Sequence, residues 1–343
     1  MIFLDIMVYA VMGIIIILGS LILSLFLKGI DRKVAARMQG RVGPPLRQPF
    51  RDVSKLMQKE NIIPDDAVGW VFDTMPALAL VSTLAIILYL PLGPLNPVLG
   101  RYGDLILIIY LFALPALAMA LGGFSSGSPV GAIGAQREMV IMMSYEFPLA
   151  IIIFTRAWVF SGQGLAGLAL DTYRTNPIWG MVGVVGAFGL ILLILALLAV
   201  IPGELAKIPF DQAEAETELA DGVLVEYSGR NLGLFYIADA MKTLALASLF
   251  IALFLPWSLS PMIANYVPLP VVGGYAVGAW LVNMGFFFVK LVIVIFFTVS
   301  FVRVAMPRLQ INRASSFYLF TTSALATFGS FLIFIDKTIG GAW

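Results

Sequence analysis

Eight stretches of this chain run for roughly 20 residues with scarcely a charge, which is the length a helix needs to cross the hydrocarbon core of a bilayer. They fall at about 6–27, 75–92, 104–121, 138–160, 179–201, 233–256, 277–302 and 316–335. In lipid every backbone N–H and C=O must find a partner within its own segment, so runs of this length have the helix as their solution. Hydrophobic residues make up 60% of the 343 positions and charged residues only 12%, far outside the range of soluble domains. The sequence therefore predicts an all-α, polytopic membrane protein with eight transmembrane helices in a single membrane domain, 1–343, without an internal repeat of fixed period. The first run, Ile6 to Leu27, has no basic residue before it and is too long for a cleaved signal peptide.

An even number of spans puts both termini on one side. The connections after spans 1, 3, 5 and 7 hold fifteen of the 21 Lys and Arg residues, while Arg101, Arg156, Arg174 and Lys337 are assigned to the other side. The positive-inside rule then places the basic connections in the cytoplasm and both termini outside the cell (plasma) membrane. There is no Cys and no His, which removes thiolate-ligated iron–sulfur clusters, bis-histidine haem and the usual zinc sites. The chain is expected to bind no metal or redox cofactor itself. No basic stripe with interleaved aromatics points to nucleic acid.

Two cytoplasmic loops carry most of the polar chemistry. Residues 28–74 hold nine basic and six acidic side chains, including Arg32, Lys33, Arg37, Arg41, Arg47 and Arg51. These serve as topology signal and lipid-headgroup contacts, or as something more specific. Arg41-Val-Gly-Pro-Pro45 reads as a rigid turn, with φ free at Gly43 and fixed at both prolines. Phe50, Val53, Leu56 and Met57 then share one face of an amphipathic interfacial helix from Pro49 to Lys59.

The other loop, 202–232, is acidic: Glu204, Asp211, Glu214, Glu216, Glu218, Asp221 and Glu226 stand against Lys207 and Arg230. If 210–225 is helical, Asp211, Glu214, Glu218 and Asp221 stack along one face and repel. Such a row is either a solvated face neutralised by cations from elsewhere or a set of carboxyls that pass protons. Between them, the glycine- and serine-rich stretch 122–138 is suited to close backbone packing.

Four ionisable residues fall inside apolar runs: Glu146, Asp239, Lys242 and Lys290. Charges in membrane segments usually face the bundle interior or water and mark function. Asp239 and Lys242, three apart, have the spacing of a local ion pair. Lys290 has no partner that the sequence names.

The order of short motifs resembles subunit 1 of respiratory complex I, the H-type membrane component of NADH:quinone oxidoreductase, and its relatives in membrane-bound hydrogenases. The resemblance spans the chain. It rests on Asp31-Arg-Lys-Val34 with Met38-Gln-Gly-Arg-Val-Gly-Pro44, Gly134-Ala-Gln-Arg137 with Ser144-Tyr-Glu146, Pro209-Phe-Asp211 with Glu214-Ala-Glu216, Val225-Glu-Tyr-Ser-Gly229, and Arg303-Val-Ala-Met-Pro-Arg308. The resemblance implies a subunit that docks a hydrophilic arm of iron–sulfur and catalytic subunits, through residues such as Arg32, Lys33, Arg37, Arg41, Arg47 and Arg51. It also implies a carboxylate path toward antiporter-like membrane subunits, made of Glu146, Glu204, Asp211, Glu214, Glu216, Glu218, Asp221, Glu226 and Asp239, with Lys242 and Lys290 as further ionisable members. Iron–sulfur clusters, and in hydrogenase relatives a nickel–iron site, would sit in the partners.

The chain departs from the quinone-reducing pattern where the family usually reads Glu-Thr-Asn-Arg-Ala-Pro-Phe-Asp and this chain has Glu204-Leu-Ala-Lys-Ile-Pro-Phe-Asp211. Arg41, Leu205, Ala206, Lys207 and Phe210 are the expected lining of the acceptor cavity. Loss of Thr, Asn and Arg looks more like the ferredoxin-linked hydrogenase and sulfane reductase branch. The alternatives are a quinone-site component of NADH:quinone oxidoreductase and, more distantly, a stand-alone secondary ion transporter.

Overall fold

The structure, a computed structural model, describes residues 2–339 except 101, 221 and 265–276. All eight expected spans are helices: α1 (Ile2–Met38), α3 (Gly69–Tyr89), α4 (Leu105–Ser125), α5 (Pro129–Ser161), α6 (Val184–Glu204), α7 (Gly229–Phe254), α8 (Val277–Ala305) and α9 (Ile311–Ile339). The amphipathic segment forms α2 (Gln48–Gln58). Among the described residues there is no strand, only isolated bridges such as Asp104 with Ala169. The rigid turn before α2 has Gly43 at φ +76°, as expected.

Helix α7 is the axis of the bundle. Its Ala and Gly positions leave little side-chain bulk, so α1, α3, α8 and α2 approach it closely, and Ala238, Ala240, Met241, Leu244 and Ala245 are all buried. Gly233 lets Leu56 and Met57 of α2 lie on α7, where a Cβ would come within 3.2 Å of the Met57 methyl. On the far side α6 and α9 cross at paired glycines, and a Cβ on Gly189 would stand 2.6 Å from the Gly329 carbonyl oxygen. Without a hydrophobic drive between helices in lipid, such small-residue contacts supply the association.

The glycine- and serine-rich stretch does bring backbones together, but mostly within helices, since α4 ends at Ser125 and α5 begins at Pro129. A Cβ on Gly134 would lie 2.6 Å from the Val223 nitrogen and 2.9 Å from the Ala213 carbonyl oxygen, so the acidic segment is pressed onto α5.

Three expectations need correction. Arg156 and Lys337 belong to no loop or tail: both lie in helices, at 1% and 4% exposure. The acidic segment forms no continuous helix over 210–225; it has one turn at Glu216–Leu219 and another at Gly222–Leu224. Asp239 and Lys242 do not pair with each other, because each has a cation or carboxylate on another helix.

Two cations and an indole tie down the C-terminal end of α7. At its C-terminus, Arg156 of α5 donates to the Leu253 carbonyl, Trp179 Nε1 donates to Phe254 O at 2.8 Å, and Lys290 Nζ donates to Leu255 O and Trp257 O at 2.7 and 2.5 Å. Leu253 and Phe254 are in the last turn, whose carbonyls a helix end leaves without intrahelical partners, and Leu255 and Trp257 follow it. Cations are the favoured donors there because the helix dipole ends negative. Lys290 thus has backbone partners that no side-chain pattern could announce.

Candidate functional site

The other end of the bundle holds a cavity of about 300 Å3 walled by α1, α4, α5, α7, α8 and the segment 204–214. Five basic side chains (Lys28, Arg32, Lys207, Lys242, Arg303) and five acidic ones (Asp31, Glu138, Glu204, Glu214, Asp239) line it. A charge-balanced set is the form in which so many ions can be buried, since each unpaired charge costs several kcal/mol to desolvate.

Two carboxylates, Asp239 and Glu204, organise the cavity. Asp239 of α7 accepts from Lys28 at 2.7 Å and from Lys207 at 2.9 Å, while the Lys28 ammonium sits 3.4 Å above the Tyr236 ring. One turn along the same helix, Lys242 meets Glu204 at 2.7 Å, with side-chain exposures of 8% and 1%. Glu204 stands in the last turn of α6 rather than in the loop expected for it. Glu138 of α5, 4% exposed, faces Lys242, Glu204 and Glu214.

Asp31, on the α1 wall, accepts from Ser300 Oγ at 2.7 Å and from Arg303 at 3.3 Å. Ser300 closes a π-helical turn in α8, Phe296–Ser300, and such single-turn insertions shift one side chain around the helix without ending it.

The acidic loop distributes its carboxylates instead of stacking them. Asp211 pairs with Arg308 at 2.8 Å, and Glu218 pairs with Arg137 at 2.5 Å. Gln212 donates to Leu309 O and Leu309 N donates to Pro209 O, so the segment is clipped to the α8–α9 connection. Separate cations remove the repulsion that one helical face would have concentrated.

Outside the membrane spans, burial raises the Asp211 carboxyl above its ordinary range although Arg308 opposes the shift. Burial also raises Glu214; Lys207 works against the rise and Asp239 adds to it. For Lys207, burial opposes the charged form, but Asp239 and Glu214 outweigh it and hold the ammonium above its usual value. An acid raised on folding is destabilising when ionised, so this contribution improves as pH falls through the raised value and worsens as pH rises through the window above the unfolded one. An infrared carboxyl band persisting above the ordinary glutamate value of about 4.3 and absent in Glu214→Gln is the expected signature. A Glu214→Gln difference spectrum with no such band would contradict it.

Other expected residues lie elsewhere. Leu205, Ala206 and Lys207 line the cavity, whereas Arg41 is exposed and Phe210 stacks on Phe317 with centroids 5.7 Å apart. Arg32 lines the cavity and binds Asp52 at 2.8 Å; Lys33 is half-buried; Arg37, Arg47 and Arg51 are exposed beside Arg41. Glu226 is half-buried and outside the cavity wall. Asp221 and the Glu216 side chain lie outside the described residues.

Glu146 of α5 has a buried Oε1 without a hydrogen-bond partner and lies within electrostatic reach of Glu204 and Lys242. Its helical neighbours Met143 and Phe147 are 67% and 55% exposed, so this carboxylate sits between the internal cluster and the flank of the chain. Lys290 is not brought to the cavity; it binds the opposite end of α7. Sequence reasoning missed Lys28, Asp31, Glu138, Arg303 and Arg308 as members of the site, although each stands in or beside a motif already singled out.

The sequence profile described as NADH dehydrogenase matches residues 10–334. The chain belongs to the NADH dehydrogenase family. Within it, the chain is 33% identical to formate hydrogenlyase subunit 4 of Escherichia coli (strain K12), covering 67% of this chain and 73% of that protein. It is 35% identical to hydrogenase-4 component C of the same organism, over 69% of this chain and 72% of the relative. The H-type component of NADH-quinone oxidoreductase from Syntrophotalea carbinolica is 28% identical over 88% of each chain.

A chain in the structure of the membrane-bound sulfane sulfur reductase, an archaeal respiratory membrane complex, superposes with a TM-score of 0.79 at 28% identity, covering 95% of this chain and 99% of its own length. A member of this NADH dehydrogenase family with eight apolar helices among its described residues is a multi-pass membrane subunit of a complex I-related oxidoreductase.

Proposed function

We propose that this subunit anchors a soluble iron–sulfur redox arm to the membrane and couples its electron transfer to movement of protons or sodium ions. The carrying observation is the cavity in which Asp239, Lys28, Lys207, Glu204, Lys242, Glu138 and Glu214 meet in a chain that has neither Cys nor His to hold a redox centre. Electrons arriving nearby in the arm change the local potential. Interleaved ion pairs in a low-dielectric site respond by exchanging partners or protons, because their interactions are little screened. Glu146 passes the change on to the flank at Met143 and Phe147, where antiporter-like membrane subunits dock.

The basic surface of α1 and α2, with Arg37, Arg41, Arg47 and Arg51 exposed, is the docking platform for the arm. It faces the cytoplasm, and both termini face away from it. Cysteine substitution at Arg41 and at Tyr102, the latter 83% exposed, reads this directly: Arg41→Cys labels only from the cytoplasm and Tyr102→Cys only from outside. The reverse pattern would invert the topology.

The complex is of the ferredoxin-linked hydrogenase or sulfane reductase type. Support comes from the relatives at 33% and 35% identity and from Leu205 and Ala206 in the cavity wall, which offer no side-chain donor to a quinone head group. Lys207 is already held by Asp239 and gives a point charge instead of a planar fork. A second reading, a quinone site in this cavity, is favoured by the match to the NADH-quinone oxidoreductase component over 88% of the chain. Turnover of the intact complex separates them. Oxidation of reduced ferredoxin with protons or sulfur compounds as acceptor is expected; rapid quinone reduction blocked by a head-group competitor would instead establish the second reading.

A further inference from the structure

The end of the bundle away from the charge cluster contains a second, larger cavity of about 1120 Å3. Helix α1 forms one wall through Tyr9 and Met12; the rest comes from the α3–α4 connection, the end of α7 and α8. Lys290 lies on its wall, 9% exposed.

Two of its three ammonium protons go to Leu255 O and Trp257 O, which leaves one donor. No carboxylate pairs with Lys290 among the described residues. Arg156 binds the same helix end at Leu253. Arg156 is buried behind the wall, so Lys290 alone brings a full positive charge to the cavity, beside a helix terminus worth about half a negative charge. The site is left with a positive excess in a low-dielectric setting, where an anion is strongly favoured.

The rim indicates which anion. Tyr9, Tyr102 and Trp257 are 58%, 83% and 46% exposed around the cavity, and such aromatic side chains gather at the level of lipid headgroups. The lining also carries apolar side chains, among them Met12, Ile251 and Phe287. We propose that this cavity binds one anionic phospholipid, with its phosphate drawn to Lys290 and its acyl chains between α1 and α7. The lipid neutralises the cation and fills the space between α1 and the bundle.

Native mass spectrometry of the detergent-purified complex containing the full chain tests this with three added probes: phosphatidylglycerol, phosphatidylcholine and inorganic phosphate. The wild type is expected to retain one phosphatidylglycerol in preference to phosphatidylcholine and not to exchange it for inorganic phosphate. Lys290→Met should lower that preference about fivefold, the worth of one lysine to an anionic headgroup. Lys290→Arg should keep it. Met12→Trp, which adds bulk to the α1 wall and leaves the cation, should lower lipid retention. Equal retention of the two lipids by the wild type, displacement by inorganic phosphate, or unchanged phosphatidylglycerol in Met12→Trp would overturn the proposal, even were Lys290→Met to fail to fold.

Discussion

Replacing Lys242 with Met lowers the stability of the folded chain by about 3–5 kcal/mol, because it strands a carboxylate that the fold has already removed from solvent. Glu204 has a side-chain exposure of 1%, and Lys242 at 2.7 Å is its ion-pair partner. Glu138 and Glu214 share the cavity, so removing this cation leaves the nearby acids in excess. Replacing both partners, as Glu204→Gln with Lys242→Met, removes the stranded charge and should recover most of the loss. Denaturant or thermal unfolding of the single and double variants reads the difference. A single variant as stable as the wild type would mean that water reaches Glu204.

Reversing Arg37 and Arg41 to Glu is expected to weaken association of the redox arm by about a hundredfold or more, as charge reversal at a complementary interface costs several kcal/mol. Both side chains are exposed, one at the end of α1 and one in the following turn. Their neighbours Arg47 and Arg51 extend the same basic surface, whereas Arg32 is already committed to Asp52. Rim charges act mainly on association rate, so the loss should grow at low salt and shrink as salt screens the wild type. Co-purification at graded ionic strength measures it. An arm that stays bound, independent of salt, would leave these arginines with lipid contacts alone.

The membrane architecture was legible because hydropathy is a local property: each of the eight spans announced itself, as did the amphipathic α2 and the turn at Gly43. The motif order carried the family. Partnerships were not legible, because they join residues far apart in sequence. Asp239 and Lys242 have the spacing of a local pair, yet Asp239 takes Lys28, 211 positions away, and Lys207 from the connecting segment. The acidic loop failed as a helix for a related reason: Arg137 and Arg308 arrive from other elements and offer Glu218 and Asp211 separate cations.

The charge count sets Arg156 with the outer-side loops although the expected span 138–160 contains it; in α5 its guanidinium folds against Phe160, Tyr173 and Phe254 at 5.2–5.5 Å. Lys290 had no legible partner because backbone carbonyls carry no sequence signature. Glu138 closes the glycine- and serine-rich stretch 122–138, whose composition points to close backbone packing and hides a site carboxylate; in the structure α5 starts nine residues earlier and turns that carboxylate into the cavity.

The central claim is that the ionisable cluster moves charge in response to electron transfer elsewhere in the complex, with Glu146 as its outlet. Glu146 is suited to the test because it forms none of the ion pairs that hold the described bundle together. Glu146→Gln keeps the shape and removes the titratable group. The decisive measurement is the number of ions translocated per electron by the reconstituted complex in sealed vesicles. The account predicts continued electron transfer with ion translocation per electron falling toward zero; an unchanged ratio would contradict it.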